Sequence, residues 1–121
     1  MPNAVSKIPL SGSTSGKGIK VVATSTPGTT IHVTGSGSGV IDEMWIYAEN
    51  QHTSDVVLTL EFGGVTVPDN TIVGKIPFNS GLVLMIPGLP LIETGGALTV
   101  GAFAATGNVV TIYGYANKIT P

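Results

Sequence analysis

The sequence predicts an all-β protein: an antiparallel β-sandwich, jelly-roll-like, of about eight strands behind a flexible N-terminal arm. Three observations point there. Valine, isoleucine and threonine supply 40 of the 121 residues, and β-branched side chains favour strands. Seventeen glycines and eight prolines punctuate the chain, and these are the two poorest helix formers. Short apolar runs recur between turn signals, and no segment shows a helical period with caps.

Residues 1–18 read as the arm, and 19–121 as one sandwich domain. The arm holds a small-residue stretch, Ser11-Gly12-Ser13-Thr14-Ser15-Gly16-Lys17-Gly18, of the kind that forms flexible linkers. Ile8-Pro9-Leu10 precedes it as a short docking segment. Strands follow at Lys20–Thr24 and Thr29–Thr34, with the turn Thr26-Pro27-Gly28 between them. Gly35-Ser36-Gly37-Ser38-Gly39 is a loop before the long strand Val40–Glu49. Val56–Phe62 alternates cleanly, and Gly63-Gly64 then signals a hairpin into Val65–Val67. Thr71–Pro77 and Leu82–Ile86 are further strands, and Pro87-Gly88 with Leu89-Pro90 reads as a bend. Ala97–Ala105 and Val109–Asn117 form a closing hairpin across Thr106-Gly107-Asn108. Eight short strands with mostly short turns suit two Greek keys, hence the jelly roll over an up-and-down barrel.

Charge narrows the function classes. Only 10% of residues are charged and the net charge is −2. All five basic residues are lysines, and arginine is absent. Nucleic-acid sites need basic patches and bidentate arginines, so no nucleic-acid partner is expected. Without cysteine there is no disulfide, thiolate nucleophile or thiolate metal site. Met1–Lys7 carries no apolar run of a leader. The uncharged windows 76–92 and 94–117 are broken by Pro and Gly, so no membrane span is expected.

Candidate chemistry is sparse, and neither an enzyme nor a cofactor or metal is expected. Asp42 and Glu43 are adjacent, so on a strand they point to opposite faces and cannot pair. His32 and His52 are the only histidines, and neither has the His-x-His spacing of a cupin-type metal site. His32 reads as a strand residue with a satisfied ring. One His32 from each subunit at a symmetry axis is the metal alternative. Gly12–Gly16 and Gly35–Gly39 both miss the Gly-x-Ser-x-Gly spacing of a nucleophile elbow. Trp45 and Tyr47 share one strand face, as do Tyr113 and Tyr115. Such pairs either pack at an interface or stack on sugars.

Two strands, Met44–Ala48 and Leu82–Ile86, are apolar on both faces. A two-layer sandwich buries only one face of each sheet, so something must cover the other. With no helices expected, the cover is a second copy of the chain. Trp45, Tyr47, Leu82, Leu84 and Ile86 are the expected homo-oligomer interface.

Ile8–Ser13, Gly18–Val21, Pro27–His32, Asp42–Ala48, Pro77–Leu91 and Tyr113–Ile119 together resemble small virion proteins of tailed bacteriophages. The resemblance spans nearly the whole chain in style rather than in a diagnostic motif. It implies a capsid decoration (cement) protein: a homotrimer on the outer surface of the virion, made in the host cytoplasm, with the major capsid protein as partner. It also implies an arm lying on the shell, with Ile8, Pro9 and Leu10 as the docking residues. The alternative is a small carbohydrate-binding, lectin-like module, or a head-fibre or adhesin component.

Overall fold

The computed structural model describes residues 4–35 and 37–121. Residues 1–3 of the expected arm and Ser36 of the expected loop lie outside the described residues. The described residues contain nine strands and no helix. They are β1 (Ala4–Pro9), β2 (Ile19–Lys20), β3 (Thr29–Val33), β4 (Ile41–Asn50), β5 (Val56–Phe62), β6 (Thr71–Ile76), β7 (Val83–Ile92), β8 (Thr99–Ala104) and β9 (Val110–Thr120).

The strands form two antiparallel sheets. The first runs β1-β9-β4-β7, with β2 also on β9, and the second runs β3-β8-β5-β6. The pairs β1–β9, β3–β8, β4–β7 and β5–β6 are nested about the middle of the chain. The chain is thus one long folded ribbon whose successive pairs alternate between the sheets. That is the jelly-roll topology the sequence predicts.

Strict alternation builds the core. In β4 every even-numbered side chain from Asp42 to Asn50 is buried, and every odd one faces outward. Met44, Ile46, Leu58, Leu60, Ile86 and Ile112 meet between the sheets, each fully buried. Burying one such side chain contributes about 1.5–3 kcal/mol.

Three expectations are corrected. First, the flexible arm is, from Ala4 onward, an edge strand of the first sheet. Residues 4–9 pair with Thr120 back to Tyr115, and β2 pairs further along the same edge of β9. Between the two strands the chain bulges out, and Leu10 drops into the core at 1% exposed. The Gly12 amide donates to the Ile31 carbonyl at 2.9 Å. The serine- and glycine-rich stretch 11–18 concealed these ties, which are backbone bonds and the apolar anchors Ile8 and Leu10.

Second, Val65–Val67 is a loop. The Phe62 amide closes onto the Asn70 carbonyl at 2.7 Å, and pairing resumes only at Thr71. Val65 and Val67 are exposed, so no packing rewards an extended conformation, and Pro68 has no amide to give a ladder.

Third, the expected bend at Pro87–Pro90 is a continuation of β7. β7 is the outermost strand of its sheet, where a missing proline amide leaves no partner unsatisfied. Pro9 stands in β1 at the opposite edge. Proline on both edges discourages sheet-to-sheet addition by other chains.

Candidate functional site

The outward face of the first sheet gathers the tryptophan and the three tyrosines. Trp45 lies opposite Tyr115, and Tyr47 opposite Tyr113, across the β4–β9 pairing. The two pairs that the sequence placed on separate strand faces therefore form one surface. The Trp45 and Tyr115 rings are 6.3 Å apart between centroids and inclined by 14°. Lys7 of β1 brings its ammonium 4.7 Å from the Tyr115 ring centroid, within range of a cation–π attraction. Tyr115 is thus flanked by Trp45 on one side and Lys7 on the other. The Trp45 indole in turn lies against Gly88.

Gly88 is at φ +80 and is the extra residue where the β4–β7 register shifts between Met44 and Trp45. A bulge with a left-handed glycine leaves room for a flat indole that any Cβ would obstruct.

Glu43 completes the group. Its carboxylate accepts from the Trp45 Nε1–H at 2.8 Å and from the Asn117 side-chain amide at 2.9 Å. The Asn117 bond first, and the Trp45 bond second, hold its carboxyl below the ordinary glutamate range, against a smaller upward push from burial. A depressed carboxyl stabilises the fold above its unfolded pKa and loses that stabilisation as pH falls through the folded pKa. Trp45 is the single tryptophan, so its fluorescence reports this titration. We expect a midpoint below the ordinary glutamate range, moving upward in Asn117→Ala. An unmoved midpoint in that variant would assign the shift to another cause.

The expected interface set divides in the structure. Trp45 and Tyr47 face outward and are half-buried, and Leu84 lies opposite Tyr47 at 45% exposed. Leu82 is exposed just before β7. Ile86 is corrected: it is fully buried opposite Ile46. Simple alternation places 82, 84 and 86 on one face. The second register shift, between Ile46 and Tyr47, adds Met85 to β7 and turns Ile86 inward.

The expected docking residues are corrected in the same way. Leu10 is in the core, and Ile8 packs against it opposite Ala116. Only Pro9 of the three is exposed, opposite Tyr115.

Sequence reasoning missed a buried polar cluster at one end of the sandwich. His32 of β3 and Asp42 of β4 meet with Nε2 and Oδ2 2.6 Å apart, both buried. The Ser11 backbone amide donates to His32 Nδ1 at 2.9 Å. An amide can only donate, so Nδ1 is the acceptor and the ring proton sits on Nε2, facing Asp42. Both ring nitrogens are committed, which gives His32 the satisfied ring read from the sequence. Neither nitrogen is free to ligate a metal at a symmetry axis. Among the described residues, no group of three or more His, Asp or Glu side chains is placed to hold one.

The Ser11 hydroxyl accepts from the Val33 amide at 2.7 Å. Asp42 Oδ1 has no hydrogen-bond partner among the described residues, and the Lys118 ammonium lies 4.0 Å from it. The cluster is a clamp joining the N-terminal segment, β3, β4 and β9. The only sequence signal for it was an inward Asp42, legible from the alternation of β4.

No protein-family model matches this chain, and no curated protein is similar to it in sequence. The functional reading therefore rests on the residues themselves. Its best-formed surface is the aromatic face, and no helix among the described residues is long and apolar enough to cross a membrane.

Proposed function

We propose that the chain is a non-enzymatic structural protein that self-associates through the outward face of its first sheet. In this reading it stabilises a phage capsid as a decoration oligomer, with the trimer favoured. The observation that carries it is the composition of that face. Tyr47, Tyr113 and Leu84 adjoin Trp45 and Tyr115 across β4, β9 and β7, with the pair Ile41 and Ile92 further along the same face, and all of them are partly or fully exposed. Adjoining apolar side chains on a sheet face mark an interaction surface. Aromatic residues are enriched at the centres of such interfaces. Proline-bearing edges direct association to the face rather than to strand addition.

The virion assignment draws on the resemblance of the sequence to small tailed-phage proteins. With Ile8 and Leu10 packed in the body, attachment to a shell falls to exposed parts of the oligomer, and several copies give avidity without a long arm.

Light scattering after size exclusion should give about three times the chain mass of 12.3 kDa. Leu84→Lys should reduce it to one chain with an unchanged circular dichroism spectrum, because the side chain is exposed and the charge would be buried only in the oligomer. The oligomer should then raise the temperature at which capsids lose their contents. A wild-type monomer at micromolar concentration would overturn the association, and unaltered capsid resistance would overturn the virion role.

The second reading is a sugar-binding face built on Trp45 and Tyr115. The flanking of Tyr115 by Trp45 and Lys7 favours self-packing over an open stacking platform. Glycan binding by the wild type that vanishes in Trp45→Ala, with the fold intact, would reverse that preference.

A further inference from the structure

A cavity of 340 Å³ opens on the outward face of the second sheet. Its floor is the row Thr30, Gly101 and Glu61, contributed by β3, β8 and β5. Three loops rim it, through Pro27 and Gly28 before β3, Gly63 to Val65 after β5, and Ala97 and Leu98 before β8. Its size falls at the lower end of small-ligand sites.

Glu61 is the anomaly there. By alternation it points away from the core, yet it is only 3% exposed. The Gly28 amide donates to its Oε1 at 2.7 Å, and the Thr26 hydroxyl donates to Oε2. Those bonds fasten the loop before β3 over the sheet. They do not neutralise the carboxylate. Both ion pairs among the described residues belong to Asp42, so Glu61 has no cationic partner there, and no lysine lines the cavity. A buried carboxylate is costly unless a counter-charge meets it. A carboxylate also has about four acceptor positions, and two are used.

We infer that this cavity binds a primary ammonium of the lysine type, with the charge on Glu61 and the methylene stem against Pro27, Val65 and Leu98. A bare metal ion would meet one carboxylate and would waste the apolar wall. A lysine side chain matches both halves, since its stem packs on apolar surface while its head seeks charge. The shared chemistry is an alkylammonium, either on a polypeptide or on a free small amine. The cavity lies on the opposite sheet from the aromatic face, so its occupancy and the oligomeric state are read independently.

The test uses the full-length ¹⁵N-labelled protein and follows the amides of Gly28, Gly63, Gly64 and Gly101. Three probes are titrated: acetyl-Gly-Lys-Gly-amide, the same peptide acetylated on the lysine Nζ, and n-butylamine. Saturable shifts are expected with the two amines and not with the acetylated peptide. Tighter binding of the lysine peptide assigns a polypeptide ligand, and equal binding assigns a free amine. Glu61→Gln keeps the side-chain shape and should weaken binding roughly tenfold or more, as loss of a charge-assisted contact does. Should that variant not fold, Val65→Trp at the exposed rim should close the cavity and abolish the shifts. No saturable shift with either amine would overturn the inference. So would equal binding of the acetylated peptide, or wild-type affinity in either folded variant.

Discussion

Asp42→Ala should destabilise the fold by about 3 kcal/mol, the scale for losing a buried hydrogen bond to a charged acceptor and orphaning its donor. The reason is geometric. Asp42 is fully buried and accepts from His32 Nε2 at 2.6 Å, with the Lys118 ammonium 4.0 Å from its other oxygen. Alanine leaves a buried N–H on His32 without an acceptor and strips Lys118 of its nearby carboxylate. Because the His32 ring also receives the Ser11 amide, loosening the ring loosens the N-terminal segment from β3. Asp42→Asn should cost less, since its carbonyl still accepts from Nε2. The double change His32→Phe with Asp42→Leu should cost less than Asp42→Ala alone, because apolar side chains of similar volume replace both halves of the pair, and only the amide of the exposed Ser11 loses its acceptor. Urea denaturation midpoints decide the series. A loss below about 1 kcal/mol in Asp42→Ala would show that the pair does not clamp the N-terminal segment to the sheets.

Gly114→Ala should be about as damaging, at about 3 kcal/mol or more, for a steric reason. Gly114 lies in β9 opposite Ile46, at the centre of the longest strand pairing in the molecule, and its φ is +155. A Cβ there would overlap the Trp45 carbonyl oxygen. That neighbour is backbone held in a ladder, so it cannot swing aside as a flexible side chain would. Relief requires β9 and β4 to separate, which disturbs the Tyr115–Trp45 contact as well as the core. For a domain of this size each kcal/mol lowers the melting temperature by about 3–6 °C. We therefore expect a fall of about 10 °C or more by thermal circular dichroism, with a change in Trp45 fluorescence. A variant that melts within about 2 °C of wild type would show that the sheet can open at this point without loss.

The two variants illustrate what the sequence revealed and what it concealed. Alternation in β4 exposed the direction of every side chain from Ile41 to Asn50, so the inward Asp42 and outward Glu43, Trp45 and Tyr47 were legible. Nothing in the text linked Asp42 to His32, because the partnership depends on β3 crossing to the other sheet and facing β4 across the core. Gly114 carried no signal within the expected strand Val109–Asn117, since its close neighbour is the backbone of Trp45, far away in sequence. Ile86 was misplaced by one bulge: the extra residue Met85 in β7 reverses the alternation until the second bulge at Gly88 restores it.

The sequence by itself determined the class of the molecule. Its β-branched residues, its glycine and proline punctuation and its period-two runs admit a jelly-roll sandwich and disfavour helices, because those preferences act locally, residue by residue. Tertiary structure alone decided the rest. It drew residues 4–10 into the body, since β9 offers an unpaired edge to their backbone and the core has space for Leu10. It set Tyr115 between Trp45 and Lys7, residues that neighbouring strands bring together from distant parts of the chain. It also folded the loop at Thr26–Gly28 over Glu61, making a buried carboxylate out of a position that alternation alone assigns to solvent. Each of these depends on which strands become neighbours, and that choice is made by long-range pairing and burial rather than by any local preference.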